Sequence, residues 1–150
     1  MMKRRIIANS IIFSDVARLI AEGRSVRIAV KGNSMRPFIF HGESVELHPF
    51  TVVEVGDIVV AQNTPDHYVL HRIIAIEGEF VTLQGDGNLE ITEECLAKNI
   101  IAKVHSVERR SGRVVDLRTP SQRRWGVIWR WLHPVRRYLL FAGHHLLRWP

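Results

Sequence analysis

The chain has 150 residues, of which 46% are apolar and 24% are charged, proportions that suit one globular domain of ordinary size. Its single cysteine, Cys95, excludes an internal disulfide and any zinc site built from several cysteines. No run of 18 apolar residues occurs, which predicts that no helix crosses a membrane, and polar residues between 9 and 18 interrupt any secretory signal core.

The net charge of +6 is unevenly distributed along the chain. Residues 120–150 contain six arginines and no acidic residue, whereas residues 1–119 contain 15 basic and 15 acidic residues. All four tryptophans also lie in residues 120–150. We therefore predict two parts, a formally neutral body over residues 1–119 and a basic, tryptophan-rich tail over residues 120–150.

The first predicted element is a short amphipathic helix over residues 10–22, because Ile12, Val16 and Leu19 share one face at helical spacing. Alternating polar and apolar residues then predict a strand over residues 25–30. Further strands are predicted at 43–47, 57–61, 68–77, 80–84, 99–108 and 113–117, and one helical turn at 92–98. Short strands separated by glycine-containing turns favour a mainly β fold, a folded antiparallel sheet that is closed or half-closed.

The tail is predicted to be helical, because its apolar residues recur at helical spacing. Pro134 interrupts the pattern, so two helices are expected, with Pro134 near the start of the second. Tryptophan and arginine on such helices suit peripheral contact with a membrane, where indoles lie at headgroup depth and arginines attract anionic lipid. Packing of the apolar stripe on the β body is the alternative. Nucleic acid is not expected as a partner, because the body has no basic excess to extend such a surface.

A candidate nucleophile and a candidate base lie in the β body. Ser34 follows a predicted strand in a tight turn, residues 32–37, that would expose its hydroxyl and direct backbone N–H groups to one point. His71 lies inside the apolar strand 68–77, and histidine is the usual general base near neutral pH. Taken singly, a loop serine and a strand histidine are more often structural than catalytic.

A carboxylate that orients the imidazole would complete such a site. Asp86 lies in the turn 85–88, directly after the strand that is expected to pair with the strand of His71. The alternative for Asp86 is a simple Asx turn. Asp66, close to the start of the His71 strand, is a second candidate.

Four segments in this order resemble the conserved boxes of one peptidase group. The first segment is Ser-Met-Arg-Pro at 34–37, followed by Gly-Glu-Ser-Val at 42–45. The others are Gly-Asp-Ile-Val-Val at 56–60, His-Arg-Ile-Ile at 71–74 and Gly-Asp-Gly-Asn at 85–88. The set resembles the S24/S26 serine peptidases, which include type I signal peptidases and LexA-like self-cleaving repressors. The resemblance covers about residues 25–108. It implies a folded antiparallel β domain of the signal-peptidase/LexA type over residues 1–119, with a short N-terminal helix and a C-terminal helical tail.

The resemblance also implies roles for individual residues. The third segment, which begins with His71, resembles the one that carries the general base, and a histidine there makes the chain similar to the His-base, SipW-like signal peptidase branch. The aspartate of that branch maps onto Asp86, although Gly87 is inserted before Asn88. Gly32, two positions before Ser34, resembles the LexA-like pattern and implies an oxyanion hole made by the backbone N–H groups of residues 32 and 34.

The residues that flank the nucleophile, Met35 and Pro37, are expected to contact the substrate. Neither a cofactor nor a metal is expected. These implications favour a serine endopeptidase of signal-peptidase type, which cleaves a leader or signal segment or another precursor peptide. Its expected partner is that polypeptide substrate, and its expected location is cytoplasmic, with peripheral contact at the cytoplasmic membrane through the tail.

Two alternatives stay open. The first is a LexA-like regulatory peptidase that cleaves itself or one dedicated partner. It ranks second because the small-residue pairs 29–30 and 61–62 do not resemble exposed cleavage loops. The second alternative is a non-catalytic β domain with a lipid-binding tail, which predicts that Ser34 and His71 lie far apart.

Overall fold

The computed structural model describes residues 6–7, 10–65, 67–88, 90–132 and 134–149. Its helices are α1 Ser10–Ala21, α2 Pro120–Trp131 and α3 Arg136–His145, with a 3₁₀ turn at Ala97–Asn99. Its strands are β1 Ile6–Ile7, β2 Val26–Ala29, β3 Ser44–His48, β4 Ile58–Thr64, β5 His67–Glu77, β6 Phe80–Gln84, β7 Glu93–Leu96, β8 Ile100–Glu108 and β9 Val114–Asp116.

The strands form one folded sheet in the order β1-β2-β3-β8-β4-β5-β6-β7, and β9 pairs with β8. The pairs are antiparallel except for β1 with β2, which is parallel. Register shifts interrupt β3, β4 and β5, and such bulges bend a strand and increase its twist. The predicted mainly β fold with a short N-terminal helix and C-terminal helices is therefore confirmed.

The core consists of two buried clusters on the folded sheet. In the first, α1 contributes Phe13, Val16 and Ile20 against inward residues of β2, β3 and β8. The second lies between β4, β5, β6 and β7 and includes Ile73, Leu83 and Cys95. Burial raises the pKa of the Cys95 thiol. The two clusters together form the apolar core of the body.

The prediction of a helical turn over residues 92–98 is wrong for most of that segment. Residues 93–96 form strand β7, and the 3₁₀ turn begins only at Ala97. The reason is tertiary: Cys95 lies opposite Val81 of β6 and turns into the core, and such pairing overrides local propensity. Strand β7 begins at Glu93.

Helix α2 packs on the β body. Thr119 caps its N-terminus by accepting a hydrogen bond from the Gln122 N–H, and Pro120 fills the first helical position. From this helix Arg123 donates to Asp57 at 2.7 Å, and the buried ring of Trp129 meets Phe38 edge to face at a centroid distance of 6.5 Å. The tail is therefore attached to the body through its first helix.

The ion pairs beneath α2 centre on Asp57. Burial by itself would raise the pKa of Asp57, but hydrogen bonds from Arg123, the Glu54 N–H and Lys103 outweigh it and hold that pKa below its ordinary value. The carboxylate of Asp57 is thus ionised and joins α2 to strands β4 and β8. No helix within the described ranges is long and apolar enough to span a bilayer.

Candidate active site

The loop after β2 places Ser34 at the surface while its neighbours are anchored inside. The N–H groups of Phe38 and Ile39 both donate to the Met35 carbonyl at 3.0 Å, which closes a tight turn. The side chains of Met35 and Ile39 lie in the first core cluster. Because its neighbours are held in the core, Ser34 is left half-buried, with its hydroxyl facing β5.

His71 approaches Ser34 from β5. Its Nε2 lies 3.2 Å from Ser34 Oγ, within the reach required of a nucleophile and its base. Strand β5 lies inside the sheet, and His71 is paired with Val59 of β4, so the backbone that carries the imidazole is held by two neighbouring strands. The ring is buried, which limits its rotation.

The other ring nitrogen of His71 is held by a carboxylate from β7. Nδ1 lies 2.9 Å from Glu93 Oε2. A carboxylate only accepts, so Nδ1–H donates to Glu93, and Nε2 is left to accept from the Ser34 hydroxyl. Ser34, His71 and Glu93 therefore make the two successive contacts that a nucleophile, a base and an orienting acid require.

The sheet register explains why Glu93 reaches His71. Ile73, Leu83 and Glu93 lie side by side across β5, β6 and β7. Alternate residues of a strand share a face, so His71 lies on the same face as Glu93. Glu93 was not among the predicted site residues, because a helical turn was predicted for its segment. No local pattern in the sequence singles out Glu93, because the pairing of Cys95 with Val81, which sets the register of β7, exists only in the folded sheet.

Asp86 is not the partner of His71, which corrects the predicted arrangement. Its two carboxylate oxygens accept hydrogen bonds from Arg72 Nε and Nη2, each at 2.8 Å, and its exposed fraction is 2%. The reason is again alternation: Arg72 follows His71 and points to the opposite face of β5, where Asp86 lies. The Asp86 carbonyl also accepts from Trp129 Nε1 of α2 at 2.7 Å. Asp66 lies outside the described residues.

The turn that carries Asp86 supports the nucleophile through its backbone. The Gly87 N–H donates to the Ser34 carbonyl at 2.8 Å. A Cβ at Gly85 would lie 2.4 Å from that same carbonyl oxygen and 3.1 Å from His71 Nε2, and one at Gly87 would lie 2.8 Å from the Asn33 carbonyl oxygen. Both glycines are therefore required for the turn to approach the loop of Ser34 so closely.

A family model described as Peptidase S24-like matches residues 8–105, almost two thirds of the chain. The chain belongs to this peptidase family. The matched stretch includes Ser34, His71 and Glu93 and ends before α2 begins. No curated protein matches the sequence. The finer assignment to the SipW-like branch stays a prediction.

Three further residues that the family resemblance implicated have contacts other than the ones it implies. Met35 of this S24-like chain has an exposed fraction of 1%, so its side chain belongs to the core and not to a substrate cleft. Pro37 lines an apolar cavity of about 510 Å³ between the body and the tail helices. The Gly32 N–H donates to His41 Nδ1 at 2.9 Å, so it is not directed to an oxyanion. The oxyanion role of the Ser34 N–H stays a prediction.

A wide cleft opens beside the nucleophile of this S24-like domain. It has a volume of about 710 Å³ and is lined by Asn33, Ser34, Gly87, Asn88, Glu90, Ile91 and Arg137. Arg137 belongs to α3, so the tail contributes one wall, and no motif in the sequence indicated this. Within the described part of the chain, no three potential metal ligands come together. The contact between Ser34 Oγ and His71 Nε2 permits proton transfer between these two side chains.

Proposed function

We propose that the chain is a serine endopeptidase in which Ser34 is the nucleophile, His71 the general base and Glu93 the carboxylate that positions the base. One observation carries this proposal: a continuous line of contacts, 3.2 Å from Ser34 Oγ to His71 Nε2 and 2.9 Å from His71 Nδ1 to Glu93. Membership of the peptidase family supports it. A non-catalytic domain predicts that Ser34 and His71 lie apart, which this contact argues against.

The geometry supports a two-step acyl transfer. As Ser34 Oγ attacks a peptide carbonyl, His71 Nε2 takes the hydroxyl proton and Glu93 stabilises the resulting imidazolium. The backbone N–H of Ser34 is the proposed donor to the developing oxyanion. His71 then gives the proton to the leaving amine, and water, activated by the same nitrogen, hydrolyses the acyl-enzyme.

The proposed substrate is another polypeptide, such as a leader or signal segment of a precursor. An open cleft beside Ser34 suits an extended chain. Self-cleavage at either small-residue pair considered above is disfavoured, because Ala29 lies within β2, Val30 is buried, and Ala61 is a fully buried residue of β4. A LexA-like action on the chain itself is therefore the second candidate.

Ser34→Ala provides the test. Wild type and variant are incubated with candidate precursors and with a defined peptide pool, and products are mapped by mass spectrometry. We expect products only with wild type, while the intact mass of the enzyme reports any self-cleavage. The same products with Ser34→Ala, or no Ser34-dependent cleavage of any peptide or of the chain itself, would contradict the proposal.

A second proposal concerns the tail, which we infer contacts an anionic lipid surface. Although α2 packs on the body, Trp131 is 85% exposed and Leu146 is 76% exposed. Trp125, Tyr138, Phe141 and Leu147 are also exposed. So many exposed large apolar side chains in one short segment are typical of an interaction surface, and the exposed arginines of the tail, Arg124, Arg137 and Arg148, complement anionic headgroups. The cytoplasmic location stays a prediction.

Flotation with vesicles tests the lipid proposal. The double variant Trp131→Ser/Leu146→Ser is expected to reduce binding to phosphatidylglycerol-containing vesicles by at least about tenfold, since full burial of one such side chain contributes about 1.5–3 kcal/mol and about 1.4 kcal/mol corresponds to tenfold. Phe80→Ser, an exposed apolar residue of β6, is the matched control and should bind like wild type. Equal flotation of the double variant and wild type would refute the proposal. Point variants are preferable to truncation, because removing the tail also removes the contacts of Arg123 and Trp129.

A further inference from the structure

The tail contributes a charged residue to the cleft beside the nucleophile. Arg137 lies in the first turn of α3, beyond the last residue that the family model matches. It lines the same cleft as Ser34 and Asn88. This part of the cleft is therefore an addition to the matched peptidase region, which makes it a place where a substrate preference of this chain can arise.

The position of Arg137 is set by its buried neighbour. Arg136 has an exposed fraction of 2%, and burial lowers the pKa of its guanidinium, an effect that nearby Asp86 opposes. Asp86 is in turn bonded through its carbonyl to Trp129 of α2. The start of α3 therefore lies near the turn that supports Ser34, and the next side chain, Arg137, lines the cleft.

The charge of Arg137 is available to a ligand. Its Nη2 lies 3.6 Å from Glu90 Oε1, and the two side chains are 69% and 80% exposed. Such an exposed pair stabilises the protein little, because water and salt screen it. A substrate carboxylate can therefore replace Glu90 at small cost, and a guanidinium can hold it by two parallel hydrogen bonds. Because residues 120–150 contain no acid, the wall that the tail contributes is positive.

We propose that Arg137 selects polypeptide substrates that carry an acidic side chain close to the scissile bond. This inference rests on the proposed peptidase function and deepens it. Arg137 would act on substrate selection and not on the chemical step, since it does not contact the line of Ser34, His71 and Glu93. Its effect is therefore expected in the ratio of kcat/KM between substrates that differ in one charge.

Matched peptides test the proposal. A peptide that wild type cleaves is resynthesised in sets of three, with Glu, Gln or Lys at one position flanking the scissile bond. Each peptide has an amidated C-terminus, so that the terminal carboxylate cannot bind Arg137 in place of the side chain. Attraction of Glu and repulsion of Lys by one exposed cation predict a preference for Glu over Lys of about 5- to 30-fold in kcat/KM at one position. High salt should reduce this preference.

Changes at Arg137 and Glu90 are expected to alter the preference for Glu over Lys in different directions. Arg137→Gln should remove the preference, Arg137→Glu should reverse it, and Glu90→Gln should increase it. Arg124→Gln, an exposed tail arginine outside the cleft lining, makes the same charge change and should keep the wild-type ratio. If Arg137→Glu cleaves the Glu, Gln and Lys peptides in the wild-type ratio, or if wild type prefers Glu only in a parallel set with a free C-terminal carboxylate, the inference is wrong while the peptidase function stands. If no peptide is cleaved in a Ser34-dependent way, the proposed function itself fails.

Discussion

Glu93→Gln is expected to lower kcat by about 10³- to 10⁴-fold while the protein stays folded, a loss of the size seen when the orienting acid of a serine triad is neutralised. The amide fills the same space, but it cannot stabilise the imidazolium that forms when His71 takes the Ser34 proton. It can also donate to Nδ1, which would place the proton of neutral His71 on Nε2, the wrong nitrogen for a base. The measurement is kcat on a cleaved peptide, with thermal unfolding as the check on folding.

Two further variants separate positioning from a structural role. Glu93→Asp keeps the charge on a shorter side chain and should recover part of the lost rate. Glu94→Gln is the matched control, because Glu94 is the next residue of β7, points to the other face and is exposed. A wild-type kcat for Glu93→Gln, or an equal loss for Glu94→Gln, would remove Glu93 from the proposed machinery. A proton NMR signal from the Nδ1–H of His71 should change in Glu93→Gln and not in Glu94→Gln.

Asp86→Asn is expected to destabilise the folded protein by about 3–5 kcal/mol, because it leaves the buried guanidinium of Arg72 without its counter-charge. Arg72 has little alternative solvation: it is buried, donates to the Gly56 carbonyl at 2.9 Å, and lies over the Phe38 ring at 4.8 Å from its centroid. The measurement is the free energy of unfolding in urea. The ion pair of Asp116 with Arg118 is exposed, so Asp116→Asn should cost less than about 1 kcal/mol and serves as the control.

The same variant separates the structural role of Asp86 from the catalytic one first predicted for it. Where Asp86→Asn is folded, its kcat should fall much less than that of Glu93→Gln, because the contacts of His71 are retained. A loss of kcat as large as that of Glu93→Gln, without a loss of stability, would return the orienting role to Asp86. The double replacement of Asp86 and Arg72 by apolar residues should be less destabilising than the sum of the single changes.

The sequence by itself determined the class of fold and pointed to Ser34 and His71, which the structure brings within 3.2 Å of each other. Alternation in 25–30 and 68–77 and helical spacing in 10–22 are local patterns, and they predicted β2, β5 and α1 closely. Ser34 and His71 were found because each lies in a short segment whose residue types resemble a peptidase box, and the order of the boxes added specificity that neither residue has alone.

Only the tertiary structure decided which carboxylate meets His71. Asp86 and Glu93 are both acids near the end of β6, and no local pattern distinguishes them. The choice depends on alternation along β5, which sends Arg72 and His71 to opposite faces, and on the register of β7 against β6. Both are relations between distant segments, so they exist only once the sheet is assembled.

The same reason applies to the direction of Met35 and to the position of the tail. Met35 adjoins the nucleophile in sequence, yet the turn at residues 34–39 directs it into the core. Arg137 is far from Ser34 in sequence, yet the packing of α2 and α3 brings it to the cleft. Periodicity in a sequence reports which residues are buried, whereas the partners of a buried or cleft-lining residue are set by packing between elements.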